Sequence, residues 1–125
     1  MTNSHSSRTS SVFVCAALLV IACVPFYSNA RNVATSTSVN ITNQSSRPIL
    51  HVYVSHVGAD DWGVNQLGDS TIATGQSFDL TINSWDQQQL KVIAEDQDGC
   101  FMSTVVTSGD SGHWTINNDT TRDCG

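Results

Sequence analysis

After residue 38 the chain is a succession of short stretches in which apolar and polar side chains alternate. In VNITN (39–43), Val39 and Ile41 alternate with polar neighbours. ILHVYVS (49–55) sets Leu50, Val52 and Val54 on one face and Ile49, His51 and Tyr53 on the other. SFDLTI (77–82) sends Phe78, Leu80 and Ile82 one way and Ser77, Asp79 and Thr81 the other. QLKVIAE (89–95) and CFMSTVVT (100–107) are separated by DQDG, an Asp-Gly hairpin signal. HWTIN (113–117) puts Trp114 and Ile116 on one face. Alternation with period two is the signature of a half-buried strand. No later window of ten residues carries the apolar stripe of an amphipathic helix. The pattern predicts an all-β fold, a small antiparallel β-sandwich of six to seven short strands. Antiparallel pairing is expected because the links are too short for helical crossovers.

The first 30 residues break this pattern. A polar start with one cation, Arg8, leads into the uncharged run VFVCAALLVIACVPFY (12–27). Ser28 and Ala30 then place small residues at the −3 and −1 positions of a signal-peptidase site. The run is shorter than the roughly 18–20 residues of a spanning helix. A secreted or periplasmic protein with no transmembrane segment in the mature chain is expected. VIAC (20–23) also has the look of a lipobox, which would make Cys23 a lipidated tether instead. The expected organisation is a signal peptide over 1–30, a flexible lead-in over 31–38 and one sandwich domain over 39–125.

Charge and cysteines narrow the picture. All eleven Asp and Glu follow residue 30, against four cations, Arg31, Arg47, Lys91 and Arg122, a net charge of −7. Such a surface repels phosphate backbones, so no nucleic acid partner is expected. It also disfavours anionic lipid. Cys15 and Cys23 fall in the signal, leaving Cys100 and Cys124. In an oxidising compartment two thiols pair, and closing this loop contributes about 3.5 kcal/mol by chain entropy.

One connection is too long for a hairpin. SHVGADDWGVNQLGDS (55–70) carries Asp60, Asp61 and Trp62 between two strands. YVS (53–55), DDWG (60–63), LGDS (67–70), TGQSFDLTI (74–82) and LKVIAEDQDG (90–99) follow in order. This series resembles a group of small exported bacterial β-sandwich proteins of unknown function. His56 stands where that pattern has Pro, and QQQLKV (87–92) replaces its Tyr-Asp-Leu-Arg segment. The resemblance implies the fold and the loop, and no activity. The start V-x-I-x-N-x-S (39–45) is similar to secreted sandwiches of the thaumatin and aegerolysin kind, at the level of fold only.

Candidate chemistry is sparse. GDSG (109–112) beside His113 has the letters of a serine-protease nucleophile region, but that chemistry needs a triad geometry and a much longer chain, and the segment reads as a Gly-rich hairpin loop. His51, His56 and His113 lack zinc spacing. Glu95, Asp96 and Asp98 offer hard oxygens for a weak calcium site, although EF-hand spacing is missing. Asn40, Asn43 and Asn118 each begin a glycosylation sequon. No cofactor and no catalytic residue is expected. Trp62 has two readings. It plugs the open end of the sandwich near Ser77, with Val57, Val64 and Leu67 turned inward, or it is presented with Asp60 and Asp61 as a binding loop. The leading expectation is a non-enzymatic binding or structural domain with a protein or glycan partner. A membrane-active, toxin-like sandwich and a small hydrolase are the alternatives.

Overall fold

The computed structural model describes residues 35–125. The expected signal segment, with Cys15, Cys23 and the Ser28–Ala30 step, lies outside the described residues.

Six strands form where the alternation predicts them: β1 (Ser36–Asn43), β2 (Ile49–His56), β3 (Ser77–Asn83), β4 (Gln89–Asp96), β5 (Phe101–Thr107) and β6 (Ser111–Ile116). They make two three-stranded sheets, ordered β3-β1-β6 and β2-β4-β5. The fold is an all-β sandwich, and no helix occurs among the described residues. Val39, Ile41, Leu80 and Ile116 of the first sheet share one core cluster with Val52, Val54, Leu90, Val92, Ala94 and Met102 of the second. Phe78, Ile82 and Trp114 pack against that cluster.

Four details differ from the sequence reading. The β1–β6 pair is parallel, whereas the other three pairs are antiparallel. A parallel pair needs a long connection, and here the intervening strands β2 to β5 supply it. The link from β5 to β6 therefore passes between sheets and is not a hairpin. The expected lead-in is partly strand, because β1 starts at Ser36 and Thr37 pairs with Ile82. Thr37 is fully buried, and its Oγ1 accepts from the Gly109 N–H at 2.8 Å. Finally, the β2–β4 register shifts between Ile49 and His51. That bulge brings Ile49, not Leu50, into the core with Val52 and Val54.

The turn after β1 is closed by Asn43, a fully buried amide. Its Nδ2 donates to the Arg47 and Ile72 carbonyls, both at 2.8 Å. Its Oδ1 accepts from Ser45 N–H at 3.0 Å and Ser45 Oγ at 2.7 Å. The sequon at Asn43 thus has its amide nitrogen committed to the fold and cannot carry a glycan there. At the other sequons, Asn40 donates to Asp79 at 2.6 Å and Asn118 Oδ1 accepts from Ser46.

The long connection does two separate jobs. Its second half runs along the free edge of β2. Gln66 N–H donates to the Val52 carbonyl at 2.7 Å, Val52 N–H to Asn65 Oδ1 at 3.0 Å, and Ile49 and Ile72 exchange two backbone bonds. Unpaired edge groups are thereby satisfied and shielded from pairing with another chain. Leu67 and Ile72 enter the core from this segment, whereas Val57 and Val64 stay exposed, contrary to expectation.

Candidate functional site

Because side chains alternate along strands, the second sheet has an outer face as well as a core face. Cross-strand register stacks that outer face in three rows: Ser55–Lys91–Val105, Tyr53–Ile93–Ser103 and His51–Glu95–Phe101. Several of these are large and apolar, an unfavourable choice for a face in water. The first half of the long loop covers Tyr53, Ile93 and Phe101, whereas Val105 stays exposed. Trp62 packs against Tyr53 with ring centroids 5.7 Å apart and edge-on against Phe101 at 4.8 Å. Ile93 is only 3% exposed although it points away from the core. Trp62 therefore does pack down, but onto the sheet's outer face and not at the sandwich end near Ser77.

Between loop and sheet lies a pocket of about 250 Å³, lined by Asp60, Trp62, Lys91, Ile93, Phe101 and Asp123 among others. Its floor is apolar and aromatic, and its rim carries carboxylates. Lys91 Nζ donates to the Ala59 carbonyl at 3.1 Å and so ties the loop to β4. Tyr53 also sits close to Glu95, its hydroxyl 3.4 Å from Oε2. Burial and then that carboxylate push the phenol pKa up, so it stays a neutral donor. His51 Nδ1 lies 2.9 Å from the same carboxylate oxygen.

The structure separates the two adjacent acids of the loop. Asp60 lines the pocket, whereas Asp61 turns back to the end of β2. There its Oδ1 accepts from Ser55 Oγ at 2.9 Å and from His56 N–H at 3.1 Å, and its Oδ2 meets His56 Nδ1. His56 Nε2 is 2.9 Å from Asp86 Oδ1, and its ring stacks on Trp85 at 4.5 Å. The bond to Asp61, then that to Asp86, raises the His56 pKa above its ordinary 6.5. Reciprocally, His56 holds both carboxylates below their ordinary value.

The proposed calcium ligands do not converge. Glu95 lies on the outer face with His51, whereas its neighbour Asp96 is 2% exposed on the opposite side. Asp96 accepts from the Asp98 and Cys100 N–H groups and pairs with Arg122 at 2.7 Å. Asp98 meets Arg47 at 2.9 Å and Arg122 at 3.1 Å. Two guanidiniums already occupy these oxygens, so the acidic turn is a salt-bridged hub that braces the hairpin. Among the described residues no cluster of His, Cys, Asp or Glu has the arrangement of a metal site. His113 lies on β6, bonded to Thr115 at 2.9 Å, and Ser111 of GDSG is a strand residue of the first sheet.

Sequence reasoning missed Lys91, Ile93, Phe101 and Asp123 in the pocket, Tyr53 against Trp62, and Trp85 and Asp86 beside His56. One signal was available. Val92, Ile93 and Ala94 are consecutive apolar residues, which marks a strand covered on both faces.

No family model and no curated protein matches the chain. A solved structure, "NMR structure of the protein from Eubacterium rectale", is similar at 15% identity and a TM-score of 0.45, covering 75% of this chain and 90% of that one. Among the described residues no helix is long and apolar enough to cross a membrane.

The loop seat itself is testable. Trp62→Ala is expected to lower unfolding free energy by about 2 kcal/mol, less than a fully buried aromatic. Urea denaturation measures it. The Trp62 Nε1 donor, buried without a partner among the described residues, reduces the loss.

Proposed function

We propose that this protein is an exported, non-enzymatic binding domain that holds a neutral saccharide against the outer face of the β2-β4-β5 sheet. The observation that carries this reading is the pocket under the Trp62 loop. A pyranose presents an apolar C–H face and a rim of hydroxyls. The aromatic Trp62 and Phe101 suit the first, and Asp60 and Asp123 on the rim are acceptors for the second. A few polar groups around an apolar floor is the usual composition of a small-ligand site. The net charge of −7 over residues 31–125 and the two rim carboxylates disfavour an anionic sugar. A protein partner is the weaker reading, since protein interfaces bury roughly 800 Å² per side around a protruding anchor, and Trp62 is folded down. Export follows from the signal-like first 30 residues, and the bridged Cys100 and Cys124 suit an oxidising compartment.

Titration with cellohexaose and with chitohexaose, followed by the Trp62 indole N–H signal in NMR, tests the reading. A saturable shift with at least one sugar, absent in Asp60→Ala with Asp123→Ala, is expected. No shift with either at millimolar concentration overturns it.

A further inference from the structure

We propose that His56, as an imidazolium, is a clamp that bridges the Trp62 loop to the β3–β4 link, so that its protonation sets how firmly the loop closes over the pocket. The consequence for binding rests on the saccharide reading above. The clamp itself does not.

Both ring nitrogens of His56 face carboxylate oxygens, Nδ1 towards Asp61 and Nε2 towards Asp86. Ionised carboxylates only accept, and a neutral imidazole has one N–H and one lone pair. A neutral ring therefore satisfies one carboxylate and sets a lone pair against the other. Only the imidazolium serves both. Trp85 adds to this preference, because a cation over an indole face is favourable, and its own Nε1 is anchored on the Gln89 carbonyl at 3.0 Å.

The charged groups around His56 are Asp61 from the loop, Asp86 from the β3–β4 link and, one row along on β4, Lys91. Lys91 holds the same loop through Ala59, which also accepts from Ser55 Oγ at 3.0 Å. Ala59 and Asp61 thus fix the backbone on either side of Asp60 and directly before Trp62, the two residues the loop carries into the pocket. On the opening side stands the unmet Trp62 N–H, a donor that gains a water partner when the loop lifts. The closed loop is consequently poised, and the loss of one bridge shifts it.

The direction with pH follows from the two kinds of group. His56 is raised above 6.5, so its bridge is complete below that value and is lost as pH climbs through the raised one. Asp61 and Asp86 are lowered below 3.8, so their share is complete above that value and is lost as pH falls through the depressed ones. The clamp is fully formed between these two ordinary values and, from neutral pH upward, is lost as His56 deprotonates.

NMR of the intact folded domain tests it. The His56 ring signal should titrate above 6.5, and the Trp62 indole N–H should shift with the same midpoint. His56→Gln should remove the Trp62 titration, and Asp86→Asn should lower the midpoint while keeping the fold. Saccharide affinity should be measurably weaker at pH 9 than at pH 6. A His56 midpoint at or below 6.5 overturns the clamp, and so does a Trp62 signal that stays flat while His56 titrates. If Trp62 titrates as expected but no sugar binds at either pH, the binding reading falls and the clamp stands.

Discussion

Asn43→Ala is expected to destabilise the domain by about 3–5 kcal/mol, a large share of the 5–15 kcal/mol that holds a small domain folded. The expectation comes from counting what the amide satisfies. Its four hydrogen bonds join the β1–β2 turn, through Ser45 and Arg47, to Ile72 at the β2 edge. Asn43 and Ser45 are both buried, so water cannot replace the lost bonds cheaply. Each buried polar group left without a partner costs about 1–3 kcal/mol. Asn43→Asp is a sharper probe. It keeps the acceptor towards Ser45 but sets an oxygen against two carbonyls, so it should be at least as damaging at neutral pH. Urea denaturation measures both. A loss below about 1 kcal/mol for Asn43→Ala, a typical net value for one ordinary hydrogen bond, would mean that the turn is held by something else.

Removing the Cys100–Cys124 bridge is the second large effect. The bond links residues 24 apart in sequence, and a loop of that length contributes about 3.5 kcal/mol by constraining the unfolded chain. The bridge also has a structural consequence. Phe101 and Asp123 exchange two backbone bonds, at 2.7 and 2.8 Å, which cover the edge of β5. Asp123 is a wall of the pocket, and Arg122 reaches Asp96 and Asp98 from the same tail. Cys100→Ser with Cys124→Ser should therefore lower the melting temperature and speed hydrogen exchange at the Phe101 and Asp123 amides. Overlapping unfolding curves for oxidised and reduced protein would show that the Phe101–Asp123 backbone bonds and Arg122 tie the tail down without the bridge.

Strand positions and the all-β class were legible in the sequence because they depend on local alternation. Val39 with Ile41, and Leu80 between Phe78 and Ile82, need only a pleat and one wet face to find their places. The Asp-Gly turn before Cys100 was legible for the same reason. Its chemistry is local, with Asp96 Oδ1 accepting from the Asp98 and Cys100 N–H groups. The cysteine pair was legible by elimination once Cys15 and Cys23 were assigned to a signal.

Partners distant in sequence decided the rest. Alternation tells which residues share a face, but not which sheet lies opposite or whether a face is covered twice. Hence the parallel β1–β6 pair and the bulge that exchanges Ile49 for Leu50 came only with the tertiary structure. The acids of the DQDG turn have oxygen chemistry suited to calcium. Whether they meet a metal or a guanidinium depended on Arg47 and Arg122, far away along the chain. Trp62 is the clearest case. Its size makes burial in some form favourable, and that much follows from the residue itself. Where it is buried depends on a floor made by Tyr53 and Phe101, on two different strands. How firmly it is held depends on His56 meeting Asp61 five residues on and Asp86 thirty residues on. Those distances are set by sheet register and loop closure, which sequence periodicity does not encode.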